Sequence, residues 1–568
     1  MKAVIFKLIQ NVFNGEYPQL WTFQILNAHA KDGHTSDNPK LRGTSLAPIF
    51  ARLYDIIVVN RFRKWYTPNK EQAGFRIKQG CLLQLFVVIL LLHYAMEYNL
   101  NFIVLFMDYE KAFDYANRYE LIKKLMSKQC GSKFTNAIAK MYTSTTYIPY
   151  VNNKMGEPIK TSYGVAQGRN SSPDLYSFYV ADMPRCTEDL PKEDFMDPDV
   201  IAQLADDTAM LTEQLHSFKR KTACLLEYSK ENYQVPNIPK TVYCHFSKDP
   251  NLTPISIDDN ISISSVDPKK GHRYLGFKFL PTNDFSKIIK HNLDDRKGRV
   301  SKFYAWLEDN RNTPIEIKLL VLDNCLFSSL LYSVETWGDI SIIEMELRKI
   351  ELKALKAILQ IKSGTSTDIV YNELRRPDII SRIKESQFHF FKKINEFEID
   401  DAMVVSVLDL CKDTSIVQYY KSLHDHNKKD NIDERTRRIM SSEAPMLENY
   451  RNNVEIETKP MIYSSYMNDG KRKIISRWRL SNHKLNIELG RYSTPKIPRE
   501  DRKCLRCDVV EDEFHAIFVC PTFHLLRVKY DRIILKYSSV KTFLNPEYSD
   551  LYDVANYLEE IEEILGKR

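Results

Sequence analysis

No apolar run in this chain is long enough to cross a bilayer. The longest, Leu82 to Leu92, contains Gln84 and falls well short of the roughly 20 residues a spanning helix needs, so it reads as a buried helix. The amino terminus lacks the unbroken apolar stretch of a signal peptide, because Lys7 and Gln10 interrupt it. Cysteine is thin, with 10 in 568 residues and only Cys504, Cys507 and Cys520 clustered. That pattern suits reduced intracellular thiols plus one metal site better than a disulfide framework. Internal repeats and low-complexity tracts are absent. Charge of one sign is also missing: a net +7 is mild for this length and permits a nucleic-acid partner without requiring one. What remains, 43% hydrophobic and 27% charged, is the composition of a soluble globular protein with room for roughly three to five domain-sized units.

What is present is acid in two places. Asp108 ends the run Phe102 to Met107, which is aromatic and β-branched enough for a strand buried on both faces. Asp206 and Asp207 lie within Ile201 to Leu211, which reads as a hairpin with the doublet at its turn. By itself an Asp-Asp pair is an ordinary turn feature. Three carboxylates brought onto one sheet repel one another unless cations neutralise them, and magnesium selects oxygen ligands of this kind. Paired ions about 3.5–4 Å apart can clamp the attacking and leaving oxygens of a phosphoryl transfer.

Apolar spacing predicts helices near Pro48–Lys64, Leu82–Tyr98, Tyr119–Lys128, Phe134–Tyr142 and Ser172–Val180, with strands at Tyr147–Val151 and Val242–Phe246. Beyond Phe279 the pattern is helical, through Ser301–Leu307, Ile315–Leu331, Ile342–Leu359 and Ile379–Ile394. Residues 424 to 440 are strongly charged and read as a solvated helix face or a linker.

Further pieces surround the acids in a fixed order. Lys31-Asp-Gly33, Arg42 to Leu46 and Gln72 to Arg76 precede Asp108. Gly164 to Pro173, with glycines flanking Gln167, then Asn237 to Thr241 and Arg273 to Gly276 follow it. Downstream stand Leu331 to Gly338, Val370 to Arg375 and Ile487 to Tyr492. Taken together, this order resembles the reverse transcriptases of non-LTR (LINE-like) retrotransposons, over about Trp21 to Arg527.

The resemblance implies an α+β right-hand polymerase. Fingers would occupy 1–100, a palm with an antiparallel sheet 101–280, a helical thumb 281–400 and a charged helical connector 401–487. A zinc knuckle at 488–530 and a helical tail at 531–568 would complete it. The activity implied is RNA-directed DNA polymerisation from dNTPs on an RNA template and DNA primer, with no membrane partner. Asp108, Asp206 and Asp207 would bind two magnesium ions, and Lys240 would protonate the departing pyrophosphate. Phe113, five residues after Asp108, stands where the family places a gate against a ribose 2′-hydroxyl. Gln167 and Gly168 would line the nucleotide pocket, and Arg42 and Lys31 would reach its triphosphate. Tyr274, Leu275 and Gly276 match the primer grip. Each has a plainer alternative: Phe113 as core, Gln167 and Lys240 as surface, Arg76 as a structural bond to loop carbonyls.

The chain also departs from the family's pattern. Leu204 precedes the doublet where an aromatic is usual, and Arg169-Asn170-Ser171 and Asp174 replace other residue types. Arg375-Arg376 replaces a Gly-Arg pair. With no endonuclease domain ahead of the polymerase, the expectation is a truncated or decaying copy that depends on a nicking partner in trans. A catalytically idle, nucleic-acid-binding remnant is the main alternative. An RNA-templated RNA polymerase or a purely structural protein stands further off.

Cys504-Leu-Arg-Cys507 is followed by His515 and Cys520, a spacing that fits a tetrahedral zinc site. Just upstream, Lys471, Arg472, Arg477 and Arg479 interleave with Trp478. That interleaving suits phosphate neutralisation and base stacking, or equally an amphipathic helix with its apolar side on a core.

Overall fold

The computed structural model describes residues 2–30, 41–76, 78–143, 145–191, 201–397, 403–423, 428–444, 447–454, 461–463 and 467–567. They form two compact units, Met1–Ile288 with Lys393–Gln418, and Ile289–Lys392 with Tyr419–Arg568.

The first unit opens with α1 (Lys2–Phe13), β1 (Phe23–Ala30), β2 (Leu41–Leu46), α2 (Ile49–Trp65) and α3 (Cys81–Glu97). Next come β3 (Phe102–Met107), the short α4 (Ala112–Tyr115), α5 (Arg118–Ser127) and α6 (Ser132–Tyr142). A three-strand stretch follows, β4 (Thr145–Val151), β5 (Lys154–Met155) and β6 (Ile159–Thr161), then α7 (Ser172–Tyr179). β7 (Ile201–Leu204) and β8 (Asp207–Thr212) lead through α8 (Leu215–Glu231) into β9 (Val242–Phe246). Four short strands close the series: β10 (Ile255–Ser256), β11 (Ser262–Ser265), β12 (His272–Tyr274) and β13 (Phe277–Phe279).

Two larger sheets organise these strands. One has the order β10-β11-β9-β3-β8-β7 and places β3 between antiparallel neighbours β8 and β9. All six residues of β3 are buried, as its uninterrupted apolar sequence requires. α3 is apolar on every side and buried along most of its length, which makes it a core helix. The other sheet runs β2-β1-β4-β5 with β6 beside β4, and β1 pairs with β4 in parallel. That pairing draws 145–161 into the sheet begun by the amino-terminal strands, across the expected boundary at residue 100. Parallel neighbours need a long connection, so nothing local in the sequence announces the partner.

The second unit is helical. Ile315–Val321 continues through a π-helical stretch, Leu322–Phe327, into Ser328–Leu330, and Ser341–Leu359 follows. At its centre the fully buried Glu351 accepts hydrogen bonds from Tyr371 Oη (2.6 Å), Ile379 N (2.7 Å), Arg382 Nη2 (3.2 Å) and Arg376 Nε (3.3 Å). Arg376, the residue that keeps the arginine of the family's Gly-Arg pair, therefore pairs a buried carboxylate that would be costly alone. The charged 424–440 stretch contributes the helix Lys428–Ser441. Among the described residues no helix is long and apolar enough to cross a membrane.

Candidate active site and metal centre

The last pair of the β3–β8 ladder is Met107 with Thr208. One step further along that register, Asp108 and Asp207 face each other at the open end of the sheet. The β7–β8 hairpin pairs Leu204 with Asp207, so Ala205 and Asp206 form a two-residue turn with Ala205 at φ +59°. This refines the expectation: Asp206 occupies the turn and Asp207 opens the returning strand. Asp207 keeps surface open to solvent, yet its carboxyl is crowded enough that its pKa rises to about 6. Burial contributes most, followed by the charges of Asp206 and Asp108, so the three acids are one electrostatic cluster. Lys240 Nζ donates to Asp108 Oδ2 at 3.2 Å. Its loop is tied to the same residue, with Asn237 N donating to Asp108 O (2.8 Å) and Asp108 N donating to Thr241 Oγ1 (3.3 Å).

Hard oxygen donors that already repel one another fit divalent cations. The aspartates do not close into a tight ligand set, however. Among the described residues, the group of three or more candidate ligands with donor atoms all within 4.8 Å of one another is Cys504, Cys507, His515 and Cys520.

Phe113 is half-buried in α4, stacked on Tyr176 at a centroid distance of 4.4 Å, with the Phe75 ring edge-on at 6.4 Å. The Tyr176 hydroxyl is pushed far up by burial and next by Asp206, which puts this stack beside the acids. Gln167 belongs to the loop before α7. Its carbonyl accepts from Ser45 N (2.6 Å) and Ser45 Oγ (2.9 Å), and its amide donates to Asp114 Oδ1 at 3.3 Å. At Gly168, φ is +111° and a Cβ would sit 2.6 Å from the Ser45 carbonyl oxygen, so glycine is required.

Tyr274 pairs with Phe277, leaving Leu275 (φ +47°) and Gly276 (φ +83°) as the turn of a tight hairpin. The Tyr274 ring lies 5.0 Å from Phe106 of β3, and its hydroxyl is raised by burial and then by Asp207. The residues named from the sequence as primer grip thus border the acidic cluster. Lys31 falls outside the described residues. Arg42 stands opposite His29 in the β1–β2 ladder, and its side chain is outside them too. Arg76 Nη1 donates to the Asn69 carbonyl at 3.1 Å, the structural role considered for it.

Departures from the family's pattern have partners on α2, which sequence reasoning missed. Asp55 and Arg169 are both buried, with Nε and Oδ1 3.8 Å apart. Asp55 also accepts from Asn170 N (2.7 Å), Ser171 N (3.2 Å) and Ser171 Oγ (2.5 Å). Asp174 takes a two-pronged bond from Arg63, at 2.7 and 2.9 Å. A signal for Asp55 existed: it shares the helical face of Ala51, Tyr54, Val58 and Phe62, where an acid calls for a buried partner.

The Cys504–Cys507 knuckle is closed by Cys504 N donating to Val509 O (2.8 Å) and Asp508 N donating to Cys504 O (3.1 Å). His515 starts a π-helical turn that ends before Cys520. Cys520 Sγ lies 3.8 Å from that of Cys504 and 3.9 Å from that of Cys507. A tetrahedron with metal–sulfur bonds of about 2.3 Å has edges of about 3.8 Å, so the donor set fits zinc in chemistry and spacing.

The proposed nucleic-acid contact upstream is corrected. Trp478 and Arg479 are fully buried in the helix Asp469–Arg479. Arg479 bonds both Glu373 oxygens (2.6 and 3.1 Å) and the Leu544 carbonyl (2.8 Å). Arg472 donates to the carbonyls of Thr313 (3.0 Å) and Met467 (2.9 Å). Lys471 pairs with Glu559, and Arg477 with Glu562 at 3.6 Å. The cations answer internal acids and carbonyls, which leaves the ring facing a core.

Residues 30–279 match the family described as reverse transcriptase (RNA-dependent DNA polymerase). The "RNA-directed DNA polymerase from mobile element jockey" of Drosophila melanogaster is 25% identical over 413 residues, 69% of this chain and 43% of its own length. The "Probable RNA-directed DNA polymerase from transposon BS" of the same organism is 22% identical over 57% of this chain and 36% of its own. The chain spans about two fifths of the length of these curated relatives. Among solved structures, telomerase from Candida albicans with a fragment of telomeric RNA covers 74% of this chain and 68% of its own at 11% identity, with a TM-score of 0.35. The chain thus carries a reverse transcriptase domain homologous to those of non-LTR retrotransposons, on an α+β polymerase fold.

Proposed function

We propose that this chain is an RNA-directed DNA polymerase of a non-LTR retrotransposon, adding deoxynucleotides to a primer 3′-hydroxyl on an RNA template. The carrying observation is the convergence of Asp108, Asp206 and Asp207 at one end of the β3–β8 ladder, where burial first and then the charges of Asp206 and Asp108 raise the Asp207 pKa. Magnesium held there by these carboxylates would lower the pKa of the primer hydroxyl and neutralise charge on the triphosphate. Asp108 serves the cluster from the strand end, Asp206 from the turn and Asp207 from the first residue of β8. Lys240, exposed and within reach of Asp108, is placed to give a proton to the pyrophosphate. Phe113, braced by Tyr176, offers a flat wall where a 2′-hydroxyl would intrude, and Gln167 and Gly168 hold the opposite loop against β2. Arg42, with Lys31, would meet the triphosphate, and Tyr274 to Gly276 would seat the primer end.

In this reading the first unit supplies fingers and palm, and the helices after Ile289 the thumb. The Cys3His cluster holds zinc in a structural role. Template RNA, DNA primer and dNTPs are the partners. The idle-remnant alternative leaned on Leu204 and the 169–174 segment. Arg169 and Asp174 are both buried and paired, so that segment is an ordered part of the fold.

Primer extension with oligo(dT) on poly(A) in magnesium tests the proposal. Wild type should incorporate dTTP and discriminate against UTP, while Asp108→Ala should abolish extension yet retain template binding. Extension by the variant at the wild-type rate would overturn the assignment.

A further inference from the structure

The segment Glu71 to Gly74 runs along β7 and grips the turn that carries Asp206. Gln203 N donates to Glu71 O and Ala73 N donates to Gln203 O, both at 2.9 Å, so the segment acts as a short parallel neighbour of β7. Between these bonds the Gln72 side chain is buried, at 1% exposure. Its Oε1 accepts from Ala205 N and from Gly74 N, each at 2.8 Å, and its Nε2 donates to Ala205 O at 3.3 Å. One amide thus binds both main-chain polar groups of the residue just before Asp206, from 133 positions upstream.

Ala205 is also the residue that needs holding. Its φ of +59° lies in the left-handed region, which an alanine rarely adopts unless its surroundings impose it. The fit is close on the other side as well: a Cβ on Gly74 would meet Ala205 N at 2.6 Å. Only a side chain with an acceptor and a donor at glutamine's reach completes this pattern. Asparagine is one methylene too short, and glutamate lacks the donor and adds a fourth negative charge beside three.

We propose that Gln72 is a positioning residue for the acidic cluster, fixing the backbone of Ala205 and so the place of Asp206 and Asp207 relative to Asp108. The inference rests on the polymerase reading for its catalytic consequence, though the clamp itself does not. Because the clamp is neutral, its effect does not titrate with pH. It acts through geometry, so its loss falls on turnover and cation affinity more than on nucleotide binding.

The test compares the full-length wild type with Gln72→Met, which keeps the volume and removes both polar groups, and Gln72→Glu, which keeps the acceptor alone. Hydrogen exchange over residues 201–208, Mn2+ binding by electron paramagnetic resonance, and kcat and KM for dTTP on poly(A)/oligo(dT) are measured on each. For Gln72→Met the expected result is faster exchange at Ala205 and roughly tenfold weaker Mn2+ binding. Its kcat should fall roughly 100-fold with KM within about twofold. Gln72→Glu should keep Ala205 protected yet still lose turnover, and it serves if the methionine variant fails to fold. Unchanged exchange and Mn2+ affinity in a folded Gln72→Met would overturn the inference. So would a loss confined to melting temperature with kcat per folded molecule intact. A wild type that neither binds Mn2+ nor extends primers would instead sink the polymerase reading, while the exchange measurement still decides the clamp.

Discussion

Burial first, and then the charges of Asp206 and Asp108, push the Asp207 carboxyl up to about 6 in the folded chain, against about 3.8 when unperturbed. Between those values the folded state binds the extra proton, so stability of the metal-free protein falls as pH rises from about 4 to about 6 and then levels off. Relieving that strain should stabilise. We expect Asp207→Asn, in the presence of a chelator, to raise unfolding free energy at pH 7 by about 1 kcal/mol, the shift being discounted because the side chain reaches solvent. The gain should vanish at pH 4, and urea melts at the two pH values check it. Protons and cations compete for the same carboxylate, so extension at limiting magnesium should fall as the pH is lowered, and excess magnesium should move that fall to lower pH. The acids themselves were legible in the sequence, because a carboxylate ending a fully apolar strand is chemically conspicuous. Gln72 was not, and Asp55 only as an acid on an apolar helix face, since their partners lie 133 and 115 or 116 positions away. Trp478 and Arg479 misled for the same reason. Interleaved rings and cations look alike on a surface and in a core until Glu373, 106 positions upstream, is seen to answer Arg479.

At the scale of elements, periodicity located β3, β9 and the helices α2, α3, α5, α6 and α7 to within a few residues, because each carries its own apolar pattern. α1, β1 and β2 escaped. The described side chains of both strands are mostly half-buried, and β1 takes its meaning from β4, whose Thr146 faces Phe23 across 123 positions. The loop before α7 belongs to this scale too. Asp55 on α2 gathers Arg169, Asn170 and Ser171 about one buried carboxylate, and so fixes how Gln167 and Gly168 meet β2. Removing that acid takes the counter-charge from a buried guanidinium, which keeps its bonds to Tyr17 Oη and the Met141 carbonyl, and takes the acceptor from two backbone N–H groups. We expect Asp55→Ala to cost about 3–5 kcal/mol in a urea melt. Arg169→Met, which removes the charge and keeps most of the volume, should cost clearly less. Equal costs would mean the pair is incidental to the loop.

At the scale of the whole molecule, the acids and the Cys3His cluster belong to different compact units, each with its own core. The cluster is knitted into the second. Glu511 accepts from Asn486 N at 3.0 Å, and Tyr557 Oη on the helix Leu551–Gly566 donates to Ile517 O at 2.6 Å. That helix packs on Asp469–Arg479, whose Arg479 reaches Glu373. Such a module has a small apolar core of its own, and a bound metal supplies folding free energy that packing cannot. A chelator selective for zinc, used with magnesium kept in excess, should therefore speed hydrogen exchange across 499–523 and the helix 551–566. Exchange in β3 and β8 should not change. Cys507→Ser should reproduce the pattern without chelator, and initial extension rates on a short primer–template should stay within about twofold of wild type if chemistry is confined to the first unit. A collapse of protection in β3 on zinc removal would show instead that the two units fold as one.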